Sequence, residues 1–439
     1  MIPLGRGVKG EEFGARGRGG IMERMSLPRR VAILGSTGSI GIQALEVIAA
    51  HPESFRVVAL CAGTNAALLA EQARTFQPEL VGIRDDSAAA ILAEQLSGLD
   101  SELITGSESA EHIAAHSDAD VVLNAITGSI GLKPTLSALR SGATLALANK
   151  ESLVVGGSLV QQAVQRPGQI VPVDSEHSAL AQALASGRHQ RGICAVPVAD
   201  QEELSGETEV AKLILTASGG PFRGWDAQDL AAVTPEQALK HPNFAMGLMV
   251  TTNSATMVNK ALEVVEAHLL FDVPLDRVET VIHPQQYIHS LVEFHDGSTI
   301  AQAGPPRMLV PIALGLSWPD RLPQVDYPMD WSHPMSWDFE PLDHSAFPAV
   351  QLAKQAAASS ATHMAVYNAA NEQAVGAFHT GRLGFTGILA TVEQVLAQHT
   401  GVPESEADLE AVLGAEEWAR QSAEALIAQS WAASSGVVR

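Results

Sequence analysis

From Val31 onward the chain alternates short apolar runs with amphipathic stretches. VAILG reads as a buried strand; after GSTGSIG, the segment IQALEVIAAHP carries apolar residues at helical spacing until Pro52 stops it. FRVVALCAG, ELVGI, DVVLNAI and TLALAN repeat the strand pattern, while the Ala-rich stretch from Ser87 and LKPTLSALRSG repeat the helical one. Strand and helix alternating at these lengths predict an α/β fold, a doubly wound parallel (Rossmann-like) sheet over residues 28–174 with ligands at the carboxyl ends of its strands. The pattern then changes. Over 175–316, LILTASGGPF and VIHPQQYIHSLVEFHDGSTIAQ read as strands, Asp296-Gly297 marks a hairpin and SATMVNKALEVVEAHLLF reads as a helix, predicting a central α+β catalytic domain. Residues 317–348 hold three Trp and six Pro and read as an extended linker. Residues 349–439 are rich in Ala, Glu and Gln at helical periodicity, which predicts a C-terminal helical domain.

Charge narrows the partners. Among 439 residues, 27 are Lys or Arg and 49 are Asp or Glu, a formal charge of -22 that argues against nucleic acid. An anionic ligand must then be held by a few local cations and backbone amides against the overall field. Cys61 and Cys194 stand far apart, so neither a disulfide framework nor a thiolate zinc site is expected. Apolar runs all fall short of the roughly 18 residues that a membrane span needs. The first 30 residues, with seven basic, three acidic and seven Gly, differ in composition from the rest. They lack the apolar stretch of a signal peptide, so the expectation over 1–27 is a disordered leader, or sequence read in from an early start codon ahead of Met22 or Met25. A cytoplasmic location is the default.

Gly35, Gly38 and Gly41 fall between the first strand and the first helix, where small residues let backbone amides approach a pyrophosphate. After the second strand stand Gly63, Thr64 and Asn65. The carboxylate that would select NAD is absent there, which tilts the choice to NADP, although the expected Arg or Lys is missing too. VPVDSEHSA puts Asp174 and Glu176 two apart at the end of an expected strand, with both carboxylates on one side. Glu263 lies in an apolar helix with Asn259 and Lys260 a turn earlier. Two carboxylates about 4 Å apart repel by about 4 kcal/mol at an effective dielectric of 20, so three converging ones need a cation or a proton. Oxygen ligands alone favour Mg²⁺ or Mn²⁺. LTASGGPFR could form an anion-binding nest or a plain turn, and HPNFAMG suits a lid. His283 and His289 are expected to be structural.

Taken in order, GSTGSIG, ANKESLV, VPVDSEHSA, LTASGGPFR, HPNFAMG, SATMVNKALEVVEA and HPQQYIHSLVEFHDGS closely resemble the 1-deoxy-D-xylulose 5-phosphate reductoisomerase family. The resemblance runs from about Pro28 into the helical tail, where YNAANEQAV also matches. It implies that Thr37, Gly38, Ser39 and Ile40 bind the phosphates of NADPH, that Gly63 and Asn65 take its adenosine side, and that Asn149, Glu151 and Gly247 also touch it. Asp174, Glu176 and Glu263 would hold the divalent metal. Ser218, Ser254, Asn259 and Lys260 would bind the substrate phosphate, and Lys150, Ser175 and His241 its carbon chain, with Glu176 and Glu263 also near substrate. Lys150, Asp174, Glu176, His241 and Glu263 form the implied catalytic set.

The implied reaction is metal-assisted rearrangement of a ketose phosphate by a retro-aldol and aldol sequence, followed by hydride reduction to 2-C-methyl-D-erythritol 4-phosphate in non-mevalonate isoprenoid synthesis. A homodimer is implied as well. Three departures stand out: Thr64 where relatives often have Lys, Phe244 for a familiar lid Trp, and Leu248-Met249 for a commonly basic pair. The alternatives are a simple NADP-dependent dehydrogenase of the homoserine or semialdehyde type, and a nucleotide-sensing module. An acylating semialdehyde enzyme needs a Cys nucleophile, which neither Cys61 nor Cys194 is placed to supply, and a sensor has no use for three carboxylates.

Overall fold

The computed structural model describes residues 27–194, 204–240 and 247–435. The leader before Leu27 and the HPNFAM segment, with His241 and Phe244, lie outside the described residues.

Strands β1 (Arg29–Leu34), β2 (Phe55–Ala62), β3 (Leu80–Ile83), β4 (Glu102–Thr105), β5 (Val121–Asn124), β6 (Thr144–Leu147) and β7 (Ile170–Pro172) pair in the order β4-β3-β2-β1-β5-β6-β7. Every pairing is parallel. Between them run α1 (Ser39–Ala50), α2 (Ala66–Phe76), α3 (Asp86–Gln95), α4 (Ser109–His116), α5 (Leu132–Arg140) and α6 (Lys150–Ala163). β1 shows why the runs are continuously apolar. Val31 and Ile33 join one core with α1 and α2, while Ala32 and Leu34 face the other with α4, α5 and α6. The chain winds from β1 outward to β4 and returns to the opposite side of β1 as β5. That reversal puts the crevice between the ends of β1 and β5.

From β7 the chain enters α7 (Ser175–Leu184), and β8 (Val210–Ala217) opens a second sheet. Short α8 (Ala227–Ala231) and α9 (Pro235–Ala238) lead to α10 (Leu248–Ala255) and α11 (Val258–Phe271), then to β9 (Val278–Ile282), β10 (Ile288–Phe294) and β11 (Thr299–Ala303). The predicted single helix across 254–271 is broken: Met257 takes a left-handed conformation (φ 63°) between α10 and α11. β10 and β11 form the expected antiparallel pair across Asp296-Gly297. Helix α12 (Leu309–Ser317) does not stay with this sheet. Its Ile312, Ala313 and Leu316 return to the core shared by β1 and α1, so the segment read as part of the central domain covers a face of the first sheet.

Within the linker, β12 (Glu340–Pro341) pairs with β9 and completes the order β11-β10-β8-β9-β12. Helices α13 (Ala349–Ser359), α14 (His363–His379), α15 (Phe385–Gln398) and α16 (Leu409–Ser435) close the chain. α14 packs against α15 and α16 and also reaches α6 and α10, while α13 lies on α11. One hydrophobic core therefore runs from the α5–α6 face of the first sheet through α11 to α14. Among the described residues no helix is long and apolar enough to cross a membrane.

Candidate active site

The crevice begins at Gly35, whose φ of 85° suits glycine and whose Cβ, if present, would stand 2.7 Å from the Ala125 carbonyl oxygen. Gly38 is the N-cap of α1 and offers no side-chain cap, so the first-turn amides, with Thr37, Ser39 and Ile40 around them, are left for an anion. A cleft of about 350 Å³ runs from there along the strand ends past Gly63 to Arg84 and Ser107, and across to Ile126 and Lys133. Asn65 caps α2 by accepting from the Leu68 amide at 3.2 Å. Asn149 is buried and used structurally: its amide donates to the carbonyls of Ile126 (2.5 Å) and Gly128 (2.9 Å) and to Glu151 Oε2 (3.1 Å). Its Oδ1 meanwhile caps α6 at the Ser152 amide. It thereby fixes the cleft floor to the helix that carries Lys150. Burial raises the Glu151 carboxyl. Gly247 is the N-cap of α10.

The acidic pair corrects the strand-end picture. β7 stops at Pro172, Asp174 is the N-cap of α7, accepting from the Glu176 amide at 3.3 Å, and Glu176 sits in the first helical turn. An Asp followed by helix formers is a stronger helix start than a strand end. Glu263 reaches the same place from α11 and is 1% exposed. One oxygen from each of Asp174, Glu176 and Glu263 lies within 4.8 Å of the others. Two ammonium groups stand between them. Lys150 Nζ is 2.7 Å from Asp174 Oδ2, 2.7 Å from Glu263 Oε1 and 3.0 Å from Asn259 Oδ1. Lys260 Nζ is 2.5 Å from Glu176 Oε1 and also touches Glu263 Oε2.

Ser175 Oγ donates to Glu176 Oε2 at 2.5 Å, and Asn259 Nδ2 to Glu263 Oε1 at 2.5 Å. Three carboxylates against two ammonium groups leave an excess negative charge. Burial, with Glu263 beside it, accordingly pushes the Glu176 carboxyl up to about 7. Burial alone would raise Asp174, but Lys150 and His177 outweigh it and hold it well below the usual range. Burial likewise opposes the charges on Lys150 and Lys260, yet their carboxylate neighbours raise both.

Behind this cluster stand two groups that the sequence reading did not single out. His177, fully buried, places Nδ1 3.6 Å from Asp174 Oδ1 and 3.4 Å from Glu266 Oε2, while Nε2 meets the Glu263 carbonyl at 2.8 Å. Against burial, Glu266 and Asp174 raise His177 to about 9; burial in turn raises Glu266 to about 7. Their signal was visible: a second Glu three residues after Glu263 on an apolar helix, and a His directly after Glu176. His177 braces both Asp174 and the α11 backbone at Glu263. The Asp174–His177–Glu266 group also clusters its ligand atoms, but it has fully buried His177 where the other cluster has Glu176, 9% exposed, so the cluster with Glu176 is the more accessible one.

Beside α11 the LTASGG turn carries Gly219 (φ 83°) and Gly220 (φ 66°), and a Cβ on Gly220 would stand 2.9 Å from the Ser254 carbonyl oxygen. The Gly220 amide donates to Ser218 Oγ at 3.1 Å. Ser218, Ser254 at the end of α10, and Asn259 and Lys260 at the start of α11 are thus assembled around the break at Met257. From α14, Asn371 Nδ2 bonds Asn253 Oδ1 at 2.9 Å and holds α10 in place. His283 and His289 are buried, with ring nitrogens on the carbonyls of Asp338 (2.9 Å) and Pro305 (3.2 Å), as structural histidines would be.

Family models described as 1-deoxy-D-xylulose 5-phosphate reductoisomerase and its two C-terminal domains match residues 31–157, 170–271 and 303–422. The chain belongs to the 1-deoxy-D-xylulose 5-phosphate reductoisomerase family. The reductoisomerase of Pseudarthrobacter chlorophenolicus is 57% identical over 412 residues, covering 92% of this chain and 99% of that one. The reductoisomerase from Zymomonas mobilis, solved in complex with NADPH, is 38% identical with a TM-score of 0.80, over 91% of this chain and 99% of that chain. A reductoisomerase in complex with NADPH, fosmidomycin and magnesium is 34% identical with a TM-score of 0.81, over 91% and 98%.

Proposed function

We propose that this reductoisomerase converts 1-deoxy-D-xylulose 5-phosphate to 2-C-methyl-D-erythritol 4-phosphate with NADPH, in non-mevalonate isoprenoid biosynthesis, at the cluster formed by Asp174, Glu176 and Glu263. The observation that carries the site is the meeting of three hard-oxygen donors within 4.8 Å beside a dinucleotide crevice. Such donors, with negative charge in excess, suit Mg²⁺ or Mn²⁺. When bound, the ion supplies Lewis acidity to the ketone and its neighbouring hydroxyl, and NADPH supplies the hydride.

The chain's own residues do the rest. Lys150 and Lys260 are the counter-charges of the carboxylates as the protein stands. Once those carboxylates are otherwise neutralised, both ammonium groups become free for substrate oxygens. Lys260 and Asn259, at the amino end of α11, with Ser218 and Ser254, clamp the phosphate, and this remote binding orients the reacting carbons. Lys150 and Ser175 line the carbon chain. Thr37, Gly38, Ser39 and Ile40 take the pyrophosphate, Gly63 and Asn65 the adenosine side, and Asn149, Glu151 and Gly247 border the nicotinamide half. His241 belongs to the same catalytic set by resemblance alone. A homodimer and a cytoplasmic location rest on the family.

The decisive assay follows NADPH oxidation with 1-deoxy-D-xylulose 5-phosphate, with and without a chelator. Turnover that requires substrate and is lost on chelation is expected. Turnover indifferent to chelation would sink the metal assignment, and none with this substrate would sink the activity.

A further inference from the structure

We propose that Arg84, at the end of β3, is the residue that selects the cofactor bearing a 2′-phosphate, replacing the cation that is missing after β2. The inference rests on the NADPH reading above. The loop leaving β2 offers no charge: Gly63, Thr64 and Asn65 are exposed, and with the Asn65 side-chain Oδ1 engaged in capping α2, only neutral donors are left there for a phosphate. The ladder between β2 and β3 continues past both strands, however. The Arg84 amide donates to the Ala62 carbonyl at 3.0 Å, and the Asp85 amide to the Gly63 carbonyl at 3.0 Å. Arg84 therefore stands beside Gly63, about one strand spacing (~4.8 Å) away.

The position suits the adenosine end. The pyrophosphate site at Gly35 and Gly38 lies at the end of β1, and the sheet order β3-β2-β1 carries the rest of the dinucleotide past Gly63 toward Arg84. Space is available, because nothing lies within 4 Å of where a Gly63 Cβ would be. Arg84 is exposed and lines the cleft, and among the described residues its guanidinium makes no ion pair or side-chain hydrogen bond. Surrounding charge is otherwise hostile to a phosphate. Glu108 and Glu111 line the same cleft, and Asp85 and Asp86 follow Arg84, although Asp85 is engaged with the Ser87 amide and hydroxyl at 2.9 and 2.7 Å.

In a chain of charge -22, an unpaired guanidinium at this mouth has a ready use. Its planar fork gives two parallel charge-assisted bonds to a phosphate dianion but at most a single, weaker one to a neutral ribose hydroxyl. Lys133 is the other cation on the cleft, but it sits across it, on α5 beyond the ends of β1 and β5. There it serves the part that both nicotinamide cofactors share.

The test titrates full-length wild type, Arg84→Gln and Lys133→Gln calorimetrically with NADPH, NADH, 2′,5′-ADP and 5′-AMP. Arg84→Gln should weaken NADPH and 2′,5′-ADP about tenfold or more, and NADH and 5′-AMP by less than about twofold. Lys133→Gln should move NADPH and NADH by the same factor. An unchanged NADPH-to-NADH ratio in Arg84→Gln overturns the proposal. So does a ratio that collapses as far in Lys133→Gln, which would assign selectivity to the general field. A wild type that binds NADPH no better than NADH overturns the cofactor reading itself, and no variant is needed to see it.

Discussion

The crevice at the end of the first sheet and the carboxylate–lysine cluster beside it are built in opposite ways. The crevice is mostly main chain. Its proposed anion site comes from one turn, Gly35 to Ile40, and its shape from a glycine pressed against the Ala125 carbonyl. The cluster is all side chains, brought from α6, α7 and α11, and Lys150 and Glu263 are 113 residues apart in sequence. A main-chain site is fixed once the local fold forms. A side-chain site holding three carboxylates in a buried setting exists only because lysines and a braced histidine offset their repulsion.

That contrast is testable at its extremes. Glu263→Gln should cut kcat by about 10³-fold or more, as a charged ligand and a partner of both lysines is lost, while the melting temperature without metal stays within a few degrees. A variant with wild-type turnover at low Mg²⁺ or Mn²⁺ would remove Glu263 from the ligand set. Gly35→Ala should do the reverse. A left-handed φ and a 2.7 Å clash with backbone should destabilise the fold by about 2–4 kcal/mol, with NADPH binding lost in parallel. An alanine variant with unchanged melting and affinity would show that the turn is not held by its glycine.

A smaller effect separates the regions by pH. Glu176 and Glu266, raised to about 7, hold protons more tightly folded than unfolded. Their stabilisation is complete below the ordinary carboxyl range and disappears as pH rises through about 7. His177, raised to about 9, adds stability below its ordinary pKa that is lost as pH rises through about 9. Asp174, held low, acts oppositely and only in acid. In chelator, melting temperature should therefore fall on going from about pH 5 to about pH 9, and Glu266→Gln should blunt the earlier part of that fall. A flat profile would show that the cluster is not strained in this way. Least of all is expected from Thr64→Lys. NADPH should tighten a few-fold with NADH little changed, and more in an Arg84→Gln background than in wild type. An equal gain in both backgrounds would mean that the two positions do not share the phosphate.

The same division governs what the sequence disclosed. GSTGSIG lies between a strand and a helix that its own apolar pattern announces, so the crevice could be read from a dozen residues. Asp174 and Glu176 read as a pair on a strand end, because periodicity does not show that the strand stops at Pro172 and that Asp174 opens a helix. The break at Met257 was invisible, since SATMVNKALEVV keeps its helical spacing on both sides of a left-handed residue. Arg84 escaped for another reason. A search for the phosphate cation after β2 follows the chain, whereas the residue proposed for that role stands on the neighbouring strand. α12 likewise carries no mark of the core to which it returns.

Asn149, Lys150 and Glu151 are consecutive, yet the first anchors the crevice floor and the second enters the carboxylate cluster. The opening turn of α6 is thus a ruler between the proposed cofactor and substrate sites, with its zero set by the cap at Ser152. Chains of this architecture should accept insertions in many surface loops but hardly one inside the first turn of α6, where a single added residue would rotate Asn149 and Lys150 by about 100° against the rest of the helix.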